Sequence, residues 1–93
     1  MFLVRAYLPD ATAADVRAAA ARAAGSAAQM HREGFRIRYL DTIYVPEDSW
    51  LGCLYEVDSA AEARLATERA VLPFDDIVEA VRYGEPTTQA AGA

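Results

Sequence analysis

Apolar and polar positions alternate at the start of the chain, with Phe2, Val4, Ala6 and Leu8 on one side and Leu3, Arg5 and Tyr7 on the other. A period of two predicts a strand whose second face tolerates polar groups. Pro9-Asp10 closes it, and the period then lengthens. Thr12 reads as a helix N-cap, with Asp15 three residues on completing a capping box and placing negative charge in the first turn. From Ala13 to about Arg32 alanine dominates, and Val16, Ala20, Ala23, Ala27 and Met30 recur at helical spacing, a small-residue stripe that lets a helix sit close to a sheet. Gly25-Ser26 marks a kink or a close packing contact, and Gly34 stops the helix behind the basic last turn His31-Arg32.

Alternation resumes from Phe35 to Val45, where Phe35, Ile37 and Tyr39 interleave with Arg36 and Arg38, and it blurs beyond Leu40 as a bulge would make it. Pro46 ends this strand by withholding a ladder donor, and Glu47-Asp48-Ser49 supplies turn chemistry. The third strand, Trp50 to Val57, is apolar and aromatic on both faces, so it needs helices over one face and a partner subunit over the other. Ser59 with Glu62 opens a second helix from Ala60 to about Val71, with Ala61, Leu65 and Ala66 on one face. Pro73 ends the linker, Ile77 to Tyr83 reads as a last strand, and 84–93 has no periodicity and reads as a flexible tail.

Strand, helix, strand, strand, helix, strand is the βαββαβ order of the ferredoxin-like α+β sandwich: an antiparallel four-stranded sheet, two helices on one face, in one domain spanning 1–83. The uncovered face implies a homodimer of the dimeric α+β barrel type.

Composition narrows the function. The net charge is −5 and all nine basic residues are arginine, which argues against a nucleic-acid partner. No apolar stretch approaches a membrane span and the N-terminus lacks a secretory pattern, so a cytoplasmic protein without a membrane partner is expected. The single cysteine, Cys53, sits in the most apolar strand and reads as a buried, inert thiol. There is no phosphate loop, no Cys-His metal spacing and no nucleophile-base-acid arrangement.

The candidate chemistry lies in the strands. Arg5 and Tyr7 share a strand face, and Glu56 is a carboxylate in an apolar strand, which is costly unless it is paired. Either Arg5 matches Glu56 across the ladder, or the three form a catalytic corner in which Arg5 binds an anionic oxygen, Tyr7 donates a proton and Glu56 acts as general base. Tyr39, Trp50, Cys53, Tyr55 and His31 are the candidate ligand-binding residues for an apolar or aromatic metabolite, although His31 at a helix end also serves the dipole.

Tyr7-Leu8-Pro9, Tyr44-Val45-Pro46-Glu47-Asp48, Cys53-Leu54-Tyr55, Arg69 to Pro73 and the Glu85-Pro86-Thr87-Thr88 tail carry a resemblance. Through them, Leu3 to about Thr88 resembles a family of small ferredoxin-like domains that includes an actinobacterial nickel-binding protein. Many members carry glutamates where this chain has Arg5 and Tyr7, and histidines near the positions of Asp41 and Ala66. With His31 as the only imidazole, no metal ligand set and no cofactor are expected from the residues themselves. Three readings stand open. One is a small-molecule-binding protein or cofactor-independent enzyme of secondary metabolism, of cyclase, isomerase or monooxygenase type, with its pocket between sheet and helices. The others are a nickel or other divalent-metal binder, as the resemblance implies, and a non-catalytic structural module.

Overall fold

A computed structural model describes residues 1–83. The elements run β1 (Phe2–Tyr7), α1 (Ala13–Arg32), β2 (Ile37–Val45), β3 (Trp50–Val57), α2 (Ala60–Arg69) and β4 (Asp76–Glu79). The sheet order is β2-β3-β1-β4 with every pair antiparallel, which is the ferredoxin-like βαββαβ sandwich. The predicted tail, 84–93, lies outside the described residues.

Register decides which face is covered. Phe2 stands opposite Tyr55, Val4 opposite Cys53 and Ala6 opposite Leu51. From β2, Ile37, Tyr39, Thr42 and Tyr44 meet Val57, Tyr55, Cys53 and Leu51 on that same face. These side chains form the core beneath the helices, with Ala19, Ala23, Ala27 and Met30 from α1 and Ala63, Ala66 and Ala70 from the α2 end. Small residues at both helix surfaces permit close approach, and the Ser26 hydroxyl donates to the Ala66 carbonyl across it at 2.7 Å.

Local signals account for the ends. Thr12 accepts from the Asp15 amide while the Asp15 carboxylate accepts from the Thr12 amide. At the other end of α1, Phe35 donates back to the Met30 carbonyl and Gly34 takes φ 102°, a conformation glycine adopts without a Cβ penalty. That closure consumes Phe35, so β2 begins at Ile37 rather than at Phe35. The expected bulge is present: register shifts between Tyr39 and Asp41, leaving Leu40 extra.

Three expectations are corrected. β4 ends at Glu79, because Glu79 already faces Phe2 at the start of β1 and no strand remains beyond it to pair with. The buried stripe of α2 is Ala63, Ala66 and Thr67, and Ala61 is exposed. Gly25 packs against nothing, and the close contact is made by its neighbour Ser26.

Candidate functional site

The helix-free face of the sheet carries Leu3, Arg5, Tyr7, Arg38, Ile43, Val45, Trp50, Leu54, Glu56 and Asp76, by register with the buried set. Its hairpin end is apolar and open, with Ile43 and Tyr7 each 56% exposed, Val45 40% and Trp50 39%. Tyr7 and Trp50 pack edge to face, with ring centroids 6.0 Å apart.

The ion pairs sit at the margins of this face, and they are not the expected one. Arg5 donates to Asp76 through Nε at 2.8 Å and Nη2 at 2.5 Å, a bidentate pair that raises the arginine's affinity for its proton and holds the Asp76 carboxyl below its usual range. Glu56 pairs with Arg38 at 3.2 Å on the far side. Arg5 faces Gly52 across the ladder, and Glu56 lies four residues further along β3, which is roughly 13 Å at strand rise. Arg5, Tyr7 and Glu56 therefore share a face without forming one corner.

Cys53 and Tyr55 point the other way, into the core. Burial pushes the Cys53 thiol up, and the Thr42 hydroxyl opposes this only in part from 3.5 Å. The Tyr55 phenol is buried without a hydrogen-bond partner, and burial drives its pKa well above that of an ordinary tyrosine. The Thr67 hydroxyl donates instead to the Ala63 carbonyl.

A third group meets where α1 overhangs the edge strand β2. Ala24, Ala27 and Ala28 face Ile37 and Tyr39 across a cleft of about 430 Å³, rimmed by His31, Arg32 and Arg38. The cleft exists because α1 offers only alanines there, and no methyl reaches across to the strand edge. A second cleft of about 400 Å³ adjoins it, lined by His31, Arg36, Ile37, Arg38, Glu56, Val57 and Asp58. His31, Ile37 and Arg38 belong to both. The short α1–β2 connection is what gathers them: the helix closes at Gly34 and the strand starts three residues on. Tyr39 is fixed from below by an edge contact with Tyr55 at 6.1 Å, and its hydroxyl bonds Thr42.

Of the residues singled out in the sequence, His31, Tyr39 and Glu56 thus line these joined clefts, Arg5, Tyr7 and Trp50 lie on the open face, and Cys53 and Tyr55 are core. The arginines of the rim escaped the sequence reading. The available signal was three arginines, Arg32, Arg36 and Arg38, within seven residues of an acidic chain.

A family model described as nickel responsive protein SCO4226-like matches residues 2–80. The chain belongs to the SCO4226-like family. Among solved structures, the crystal structure of SCO4226 from Streptomyces coelicolor A3(2) superposes with a TM-score of 0.70 at 18% identity, over 89% of this chain and 98% of that one. At that identity the likeness speaks for the fold. No curated protein matches the sequence significantly.

The family description raises nickel, and the donors of this SCO4226-like chain do not fit it. Among the described residues, no three His, Cys, Asp or Glu side chains come together as a metal site would require. His31 is the single imidazole of the chain and Cys53 is buried. No helix among the described residues is long and apolar enough to cross a membrane.

Proposed function

We propose that this SCO4226-like chain is a small-molecule-binding protein that holds an apolar ligand in the cleft between α1 and β2 and acts as a homodimer joined through the open faces of its sheets. One observation carries the ligand reading: the core under the helices is filled, whereas the edge of the same layer is left hollow by Ala24, Ala27 and Ala28 opposite Tyr39. The hollow falls within the size range of small-molecule sites, and an aromatic wall faces an aliphatic one. Because Arg5, Tyr7 and Glu56 do not converge, the geometry favours binding over turnover.

The homodimer rests on a separate observation. Tyr7, Ile43, Val45 and Trp50 form one apolar patch at the hairpin end of the face, and the two ion pairs beside it each carry both signs, so two copies of the face can meet without repulsion. Nickel binding, the description attached to the family, is the alternative that the donor set of the described residues does not favour.

The ligand reading is tested by filling the hollow. Ala28 is exposed and lines it, so Ala28→Phe places a ring in the cleft while leaving the core untouched. The neutral fragment 2-naphthylmethanol, followed by ligand-observed NMR, is expected to bind the natural sequence and not the variant. Equal binding to both places the ligand elsewhere.

A further inference from the structure

The first cleft has a sign. Apart from the Tyr39 phenol, the ionisable groups on its lining are all basic residues, His31, Arg32 and Arg38, with no carboxylate among them. This runs against the composition, since the chain carries 14 acidic residues to nine arginines. The carboxylates of the neighbourhood, Glu56 and Asp58, line only the adjoining cleft, together with Arg36.

The charges on the rim are available to a ligand. The Arg32 guanidinium donates to the neutral Gln29 side chain at 2.7 Å and forms no salt bridge among the described residues, and Glu33 is the carboxylate that feels its charge. Arg36 forms no salt bridge among the described residues. Arg38 is paired with Glu56, but both side chains are largely exposed, and ion pairs of that kind are weak enough for a ligand to compete.

From this arrangement we infer that the cleft selects an apolar organic anion, of the class of an aromatic carboxylate. The inference rests on the ligand-binding reading above and adds the ligand's charge. The hydrocarbon body lies between the alanines of α1 and the Tyr39 ring, where burial of apolar area supplies most of the affinity. The carboxylate lies at the mouth toward Arg32 and Arg38, whose guanidinium groups match its two oxygens. Desolvation there is modest because the mouth is open to water, so charge contributes more to selectivity than to affinity.

The test compares three probes of one shape on the full chain: 2-naphthoate, neutral 2-naphthylmethanol and cationic 2-naphthylmethylammonium, each titrated while amide shifts are followed by NMR. The expected order is naphthoate first, about tenfold tighter than the alcohol, with the ammonium weakest, and with shifts at residues 24–39. In Arg32→Gln/Arg38→Gln the ratio of naphthoate to alcohol affinity falls toward one, at ionic strength matched throughout. Both positions are exposed, Arg32 in the last turn of α1 and Arg38 on β2, and an unchanged amide spectrum away from the clefts verifies the fold. Equal affinity of naphthoate and alcohol in the cleft overturns the anion preference and leaves the cleft reading standing. Preference for the ammonium also overturns it. No cleft shifts with any probe at millimolar concentration overturns both.

Discussion

Arg5 and Asp76 stand opposite each other on β1 and β4, and the carboxylate takes two hydrogen bonds from the guanidinium. The pair ties the short edge strand to the centre of the sheet, with the neighbouring Asp75 accepting from the Tyr7 amide at 2.6 Å.

This pair sets an acid dependence. Asp76 is held below its ordinary pKa by Arg5, Glu33 chiefly by Arg69, and Asp15 by the Thr12 cap. A carboxyl depressed in the folded state binds protons less readily there than in the unfolded chain, so its contribution is present above the unfolded pKa of about 4 and is lost as pH falls through the folded value. The urea midpoint is expected to hold level near neutrality and fall below about pH 4. Asp76→Asn should remove part of that fall, and a midpoint that rises toward pH 3 would contradict the assignment.

Val71 sits at φ 56°, 78% exposed, just past the end of α2. The Val71 and Leu72 amides return to the Glu68 and Thr67 carbonyls, a closure that glycine suits and a β-branched residue does not. Val71→Gly is expected to raise stability by about 1 kcal/mol despite the added unfolded-state entropy, because relieved left-handed strain outweighs it. A lower urea midpoint would show that strain is not what governs this position.

The orphan Tyr55 hydroxyl gives an opposite kind of test to a core truncation. Tyr55→Phe removes a buried group that has no partner and keeps the ring against Tyr39, so stability should be unchanged or higher by about 1 kcal/mol. Tyr55→Ala should cost about 3–5 kcal/mol. A clear loss in Tyr55→Phe would reveal a bond from that hydroxyl.

The proposed homodimer predicts that a charge on the apolar patch of the open face separates the copies. Ile43 faces Gly52 there, and an added Cβ at Gly52 would come within 3.1 Å of Leu3, so the surface is flat and tightly filled. In sedimentation velocity the natural sequence should run as a dimer and Ile43→Asp as a folded monomer. A natural sequence that stays monomeric at high micromolar concentration refutes the pairing.

The sequence disclosed what local chemistry determines. The Thr12 cap, the Gly34 stop, the hairpin around Pro46 and the bulge at Leu40 all follow from nearest-neighbour preferences, and together they force the strand order. Ion pairing was not legible, because the partner of Arg5 depends on how β4 registers against β1, a contact 71 residues away in sequence. The cleft was hidden for another reason: alanines that let α1 press onto the sheet at Ala19 and Ala23 leave a void where the same helix overhangs the strand edge at Ala24 and Ala28. Missing volume has no sequence motif.

The central claim is that the cleft beside His31, and not a metal centre, is where this chain meets its ligand. One amide NMR experiment tests it, in which 2-naphthoate and then nickel are titrated into the full chain at neutral pH. The account predicts saturable naphthoate shifts clustered at residues 24–39 and no stoichiometric nickel complex. Tight, stoichiometric nickel broadening together with an unresponsive cleft would contradict it.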